Sequence, residues 1–267
     1  MPIPTGSTPP DPEPINQALP GGRMFAITRR PLLGDCAPSG RVRLDALARW
    51  LQDAAYADLE DSGLYELAVW VLRRTRIQVL RFPTFAQECE LHTFCSAVGS
   101  MWAERRTTVT LAGQSDPLIE VVALWVHLDP DLQLPSPVSD QELAVYGASV
   151  GGRRVHARLR HPRPPAKLLQ APPATSWTFR HADADMANHV NNAAYWAVLE
   201  DDLISGELEH DNGLVTLDAE VEFRLPAQPG TMHLLTDGEH RWLVDPDTDE
   251  LYASMVLTSA AAAATSA

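Results

Sequence analysis

Residues 180–200, RHADADMANHVNNAAYWAVLE, hold the side chains whose types and spacing could do chemistry. Asp183 and Asp185 stand two apart, His189 follows, and Asn191 and Asn192 close the run. After them Ala193, Ala194, Trp196, Ala197 and Leu199 fall at helical spacing. An asparagine just before such a run is an N-cap signal, because its side-chain oxygen accepts an orphaned backbone N–H. A carboxylate and an imidazole therefore lie at the mouth of a helix N-terminus, where unpaired N–H groups and the positive end of the helix dipole gather. Acyl transfer suits that setting, since its intermediate places negative charge on a carbonyl oxygen. The same residue types also serve as plain caps and turn formers, and spacing alone does not choose between the two.

The elements that position this run are legible around it. Met24–Arg30 alternates as a first strand, and residues 43–62 read as a helix in which Leu44, Leu47, Leu51, Ala54, Ala55 and Leu59 keep one face and Gly63 is the stop. Val69–Leu80, Cys89–Val98, Trp102–Leu111 and Leu118–Leu128 read as strands separated by Pro- and Gly-bearing turns. A Pro-rich connection with a short helix over 139–146 follows. The order then repeats: a strand over Thr175–Arg180, a helix over Asn192–Leu203, and strands over Leu214–Arg224, Met232–Asp237, Arg241–Val244 and Leu251–Thr258. The pattern is α+β, with a helix laid across an antiparallel sheet, twice. QDAAYADLEDSG (52–63) echoes NNAAYWAVLEDD (191–202), which favours two tandem copies. That alignment sets Asp185 opposite Ala46 and His189 opposite Trp50, so one active site per chain is expected.

Composition narrows the function classes. The 267 residues are 45% hydrophobic, enough for a sizeable core, and the formal net charge of −14 argues against a general nucleic-acid binder. No stretch of 18 apolar residues supplies a membrane span, and the Pro-rich N-terminus lacks the basic and apolar regions of a secretory signal. Cys36, Cys89 and Cys95 are not in CxxC spacing and read as free thiols in a reducing cytoplasm. No metal or nucleotide motif is present, so no cofactor is expected. From Gly151 through Ala182 there is no acid at all, while Arg153, Arg154, Arg158, Arg160, Arg163, Lys167 and Arg180 fall there. This run is either a solvated linker held to acidic surfaces or a patch for phosphates or an acidic carrier protein.

The run DADMANHVNNAAYW resembles the signature of acyl-ACP thioesterases, a family of the hot-dog superfamily. Asp183, Asp185, His189, Val190, Asn191, Asn192 and Tyr195 match in register, Trp196 is displaced, and the family's final acid falls on Asp201 beside Glu200. RLDALARWLQDAA (43–55) is similar more weakly, so the resemblance covers roughly residues 24–258. It implies a tandem double hot-dog, each unit a long helix wrapped by an antiparallel sheet, paired within one chain. The division expected is a disordered tail over 1–22, an N-terminal hot-dog over 23–147 on the acyl-chain side, a basic linker over 148–172, a C-terminal hot-dog with the catalytic motif over 173–258, and a disordered, frayed tail over 259–267.

The resemblance implies hydrolysis of fatty acyl thioesters of acyl carrier protein or CoA, in fatty acid biosynthesis. Asp185 would act as general base or nucleophile, the choice being open. His189 would donate to the carbonyl or orient water, backbone N–H groups around Val190–Asn192 would polarise it, and Asn191 would orient Asp185 or cap the helix. Trp50, Leu51, Trp70, Leu72 and Trp102 are candidates for the acyl slot, with ordinary core as the alternative, and Arg153, Arg154 and Asn192 complete the substrate-binding set. A homodimer of the double unit is compatible with this plan. Ala187 stands in place of the family's Asn, and Pro226 and Ala227 stand where plant-type enzymes carry Glu and Cys, so a Cys–His mechanism is not available there. Glu200 reads as a solvent-facing helix residue and Glu222 as an ordinary strand residue, although each is also a candidate second acid. The competing readings are a non-catalytic acyl-thioester binding protein, which those departures favour, and a hot-dog dehydratase or hydratase, which the HVNN context opposes.

Overall fold

The computed structural model describes residues 18–67, 69–132, 134–171, 175–205 and 215–261. Its ten strands form one antiparallel sheet. The N-terminal strands are β1 (Phe25–Arg29), β2 (Val69–Val79), β3 (Cys89–Val98), β4 (Trp102–Leu111) and β5 (Pro117–Leu128). The C-terminal strands are β6 (Thr175–Phe179), β7 (Val215–Phe223), β8 (Gly230–Asp237), β9 (His240–Val244) and β10 (Leu251–Ala261). The spatial order β1-β3-β4-β5-β2-β7-β10-β9-β8-β6 reads the same outward from the centre in both halves: the second strand of each copy is innermost and its first is the edge. Two copies of one unit thus meet at β2 and β7.

Their seam is written in charge. Register sets Arg74 opposite Glu222, Arg76 opposite Glu220 and Gln78 opposite Asp218. These side chains share the outer face, since Leu72, Thr75, Ile77 and Val79 alternate inward and are buried. Arg76 pairs with Asp218, and Arg73 reaches across to the carbonyls of Phe223 and Arg224 at 2.8 and 2.9 Å.

Helix α1 (Leu44–Asp61) covers the inner face of the N-terminal half. Its buried Ala46, Ala48, Ala54 and Ala55 let the sheet approach closely, and it ends before Gly63, whose φ of +72° few other residues adopt. Helix α2 (Asp140–Val150) starts on a capping box, in which Ser139 N donates to Glu142 at 2.8 Å and Glu142 N to Ser139 Oγ at 3.3 Å. The C-terminal copy uses a 3-10 turn over Asn192–Tyr195 followed by α4 (Trp196–Ser205), not one continuous helix. A short α3 (Ala166–Gln170) precedes β6.

Between α2 and α3 the chain is a strap, extended across the outer face of the sheet. The Arg158 carbonyl accepts from Arg74 at 3.3 Å, Arg160 N donates to Glu222, and His161 Nε2 meets Glu220 Oε1 at 3.1 Å. Arg224 donates to His161 O at 3.0 Å and Trp242 Nε1 to Pro162 O at 2.9 Å. Leu168 and Leu169 pack against Leu235, Trp242, Val244 and Leu251. Of the expected tails, 1–17 and 262–267 lie outside the described residues. Residues 18–22 form a turn against Ser149 of α2, and Ser259, Ala260 and Ala261 continue β10 against β7 where a frayed end was expected. Cys36, Cys89 and Cys95 are free. Among the described residues no helix is long and apolar enough to cross a membrane.

Candidate active site

The acidic run folds into a closed turn at the start of the Asn192 helix. Asp183 anchors it: Arg180 N donates to Asp183 Oδ2 at 2.7 Å and Arg180 Nη2 to Oδ1 at 2.7 Å. The Arg180 hydrogen bond holds the Asp183 carboxyl below its usual range. Asp185 N then donates to His189 O at 3.0 Å and Asn188 N to Asp185 O at 2.9 Å, with Asn188 at φ +61°. Asparagine tolerates that left-handed geometry better than most residues. The Asp185 carboxylate takes one donor on each oxygen, Ala187 N at 2.9 Å on Oδ1 and Asn191 Nδ2 at 3.0 Å on Oδ2. Asn191 is also the cap, since its Oδ1 accepts from Ala193 N at 2.8 Å. It therefore both orients Asp185 and starts the helix, the two roles left open above. The His189 ring is half-buried and bonds to no other described residue.

The N-terminal copy builds the same turn from different residues. Bridges Cys36–Val42 and Ala184–Val190 correspond. So do Ala37 N→Arg41 O with Asp185 N→His189 O, Arg43 N→Asp35 O with Asn191 N→Asp183 O, and Val42 N→Pro83 O with Val190 N→Ala227 O. Gly40, at φ +86°, takes the place of Asn188. The structural equivalents of Asp185 and His189 are thus Ala37 and Arg41, not Ala46 and Trp50, and the alignment on the AAY echo is corrected. The first copy still lacks both polar groups.

The mirrored position is filled. Arg41 Nη2 lies 2.9 Å from Glu200 Oε1, an ion pair outside hydrogen-bond alignment, while Arg41 Nη1 donates to Glu200 Oε2 at 3.2 Å. Leu44 N donates to the same Oε2 at 2.9 Å. Glu200 is 3% exposed, so its reading as a solvent-facing residue is overturned: it ties α4 to the start of α1. Burial pushes its carboxyl up and Arg41 opposes this. By the correspondence of the turns, Asn192 N is the equivalent of Leu44 N. Among the described residues Asn192 N meets no acceptor, whereas Val190 N and Asn191 N are bonded to Ala227 O and Asp183 O. Of the backbone donors expected to polarise a carbonyl, only Asn192 N is available.

A small cavity of about 20 Å³ has Asn192 among its lining residues. Asn192, Ala193 and Trp196 line it from the C-terminal copy, Ala48, Leu51 and Gln52 from α1, and Leu72, Thr75, Arg105, Thr107, Val121, Ala123 and Trp125 from the sheet. Of the acyl-slot candidates, Leu51 and Leu72 are among its walls and Trp50, Trp70 and Trp102 are not. Trp50 is in the main core, Trp70 packs edge-on against His127 at 4.9 Å, and Trp102 Nε1 donates to Val155 O at 2.7 Å. Arg153 closes the end of α2, donating to Val150 O at 3.0 Å and Ser149 O at 2.7 Å, and Arg154 is exposed beside Val98. Neither arginine is brought to the cavity. Sequence reading missed Gln52, Thr75, Arg105 and Trp125, whose only signal was a polar group on the inward alternation of a strand or helix.

Two further acids are accounted for. Glu222 is fully buried, accepting from Arg160 N and, at 2.9 Å, from Arg224, so it is no ordinary strand residue but the anchor of the strap. Together with His161 and Glu220 it presents ligand atoms within 4.8 Å of one another. Arg74 and Arg224 already pair with these carboxylates and the Arg160 backbone N–H donates to Glu222, a poor environment for a cation. At the turn's base, Ala227 is buried and offers only its backbone, while Pro226 is exposed.

Models of the acyl-ACP thioesterase N-terminal and C-terminal domains match residues 32–146 and 167–236. An uncharacterized protein of Mycobacterium tuberculosis is 29% identical over 176 residues, 66% of this chain and 68% of its own. The chloroplastic oleoyl-acyl carrier protein thioesterase of Coriandrum sativum is 26% identical over 165 residues, 56% of this chain and 42% of its own. Among solved structures, an acyl-ACP thioesterase from Bacteroides thetaiotaomicron superposes with a TM-score of 0.74 at 16% identity, over 89% of this chain and 98% of that one. The 12:0-ACP thioesterase from Umbellularia californica gives 0.67 at 18%, over 89% and 98%. At such identities the likeness fixes the fold, a double hot-dog. Two domain models in the right order, over the two copies the structure displays, show that the chain belongs to the acyl-ACP thioesterase family.

Proposed function

We propose that the protein hydrolyses fatty acyl thioesters of acyl carrier protein, releasing the free acid and the carrier thiol in fatty acid biosynthesis. The observation that carries this reading is the placement of the Asp185 carboxylate, oriented by Asn191, in the turn that leads to Asn192, whose N–H meets no acceptor among the described residues and which is one of the residues lining the cavity. A thioester carbonyl oxygen set on Asn192 N occupies the place that Glu200 Oε2 holds against Leu44 N in the other copy. Asp185 takes a proton from water, the resulting hydroxide adds to the carbonyl carbon, and the oxyanion is held by Asn192 N with His189 as second donor. Collapse expels the thiolate, which takes its proton back from Asp185. No thiol nucleophile takes part: Cys89 and Cys95 are buried on β3, where burial pushes their thiols up to about 11 and about 12, and Cys36 lies in the turn of the other copy.

The test is release of free thiol from acyl-ACP and acyl-CoA thioesters of matched chain. Turnover with both, faster on the protein-borne substrate, supports the reading. Turnover on CoA alone moves the assignment to acyl-CoA. Binding without thiol release identifies an acyl-binding protein, and Pro226 and Ala227 are then the reason.

A further inference from the structure

One mirrored pair of side chains separates the two copies. Their turns correspond at a shift of 148 positions, the spacing from Ala37 to Asp185 and from Leu44 to Asn192. The shift carries on into the helices: Trp196, Val198 and Leu203 are buried, and so are their counterparts Ala48, Trp50 and Ala55. Leu51-Gln52-Asp53 then falls on Leu199-Glu200-Asp201, so Gln52 on α1 is the counterpart of Glu200 on α4. Glu200 reaches over to the other copy's turn, where its Oε2 accepts from Leu44 N at 2.9 Å and from Arg41 Nη1 at 3.2 Å. The mirror of that reach takes Gln52 toward Asn192 N and His189. Gln52 and Asn192 do line the same small cavity. Gln52 is half-buried and its amide bonds to no other described residue, and Asn192 N meets no acceptor among them. One turn is therefore closed by a carboxylate on its donors, and the other is left open beside a neutral amide.

Resting on the thioester reading above, we propose that Gln52 is a further catalytic residue, supplied by the first copy, whose side-chain Nε2 donates to the thioester carbonyl oxygen seated on Asn192 N. That oxygen takes the place that Glu200 Oε2 holds in the mirrored turn, at the end of the Gln52 side chain. A glutamine amide carries two N–H donors, and an ionised glutamate in the same position carries none. As the carbonyl oxygen gathers negative charge an amide donor stabilises it, whereas a carboxylate repels it and itself occupies Asn192 N. An acid in the closed copy and an amide in the open one is the difference that a seat for an oxyanion needs. The site is then a joint product of both copies, the turn coming from one and this donor from the other.

The experiment compares wild type, Gln52→Ala and Gln52→Glu in the full chain, by thiol release from one acyl-ACP thioester, by Tm, and by hydrogen exchange of the Asn192 amide. Gln52→Ala is expected to lower kcat by ~100-fold, the scale of one lost oxyanion donor, with KM within a few-fold and Tm within a few degrees of wild type. Gln52→Glu keeps the shape and is expected to reproduce the Glu200 contact. Its carboxylate accepts from Asn192 N, whose exchange slows by ~10-fold or more, while Tm holds or rises and kcat falls further than in Gln52→Ala. A glutamine with a packing role only gives the opposite pattern, a lower Tm at unchanged kcat and an Asn192 amide that exchanges as in wild type. Turnover by Gln52→Ala within a few-fold of wild type, or no gain in Asn192 protection in Gln52→Glu, overturns this inference and leaves hydrolysis standing. A wild type that releases no thiol overturns the thioester reading itself, and the catalytic role of Gln52 with it.

Discussion

Asn191 Nδ2 donates to Asp185 Oδ2 at 3.0 Å while Asn191 Oδ1 accepts from Ala193 N at 2.8 Å. One amide thus orients the carboxylate and caps the helix. Asn191→Ala loses both functions: stability falls by ~1 kcal/mol, the usual worth of a cap, and kcat falls by ~10- to 100-fold. Asn191→Asp keeps the cap oxygen but places a second negative charge beside Asp185, so the acid limb of the pH–rate profile moves to higher pH. A profile that does not move shows that Asn191 is a cap only.

Glu200 bridges the two copies. Glu200→Ala removes the carboxylate facing Arg41 and leaves Leu44 N without its acceptor. Breaking a buried pair from one side costs about 3–5 kcal/mol. Denaturant unfolding is expected to show a loss in that range, with Glu200→Gln losing less because an amide oxygen still accepts from Leu44 N.

The base of the Asp183–Asn191 turn is expected to be acid-sensitive. Asp183 titrates below its ordinary value of 3.8 because Arg180 stabilises its ionised form. A depressed carboxylate contributes stability that is complete above the unfolded value and is lost as pH falls through the folded one. Asp183→Asn should therefore lower Tm by a constant amount above pH ~5 and by progressively less below pH ~3.8. A difference that is flat across this range removes the Arg180–Asp183 contact from the turn's stability.

Glu222 holds the strap. Glu222→Gln leaves Arg224 facing a neutral group, and a loss of ~2–4 kcal/mol in unfolding is expected, with turnover of the folded protein retained. Loss of turnover by ~100-fold at an unchanged Tm would instead make Glu222 the second acid.

The candidate site's turn was legible because its residues are contiguous: Asp183, Asp185, His189 and Asn191 need only local backbone to come together. The α1 helix was legible from its leucines and alanines, and the strands from their alternation. What crosses between copies was not. Glu200 faces inward only because the start of α1 lies there, and Arg41 reads as an ordinary loop arginine until the two turns are superposed. The repeat itself was misaligned because matching letters lie in the helices, whereas the turns repeat in shape. Gly40 and Asn188, both suited to a left-handed residue, were the signal that could have aligned them. The acid-free run 151–182 was weighed as a linker held to acidic surfaces or as a carrier patch. In the structure the strap meets Glu222 through the Arg160 backbone N–H and Glu220 through the His161 ring, contacts that sequence spacing cannot show.

The central assignment is Asp185 as the working carboxylate, and the most direct measurement compares thiol release by wild type and Asp185→Asn on the same acyl-ACP thioester, with Tm recorded for both. The amide keeps shape and can still accept from Ala187 N but cannot take a proton from water. A fall in kcat of ~100-fold or more at a Tm within a few degrees of wild type is the expected result. Turnover within a few-fold of wild type contradicts the assignment and would leave Asp185 as a turn residue.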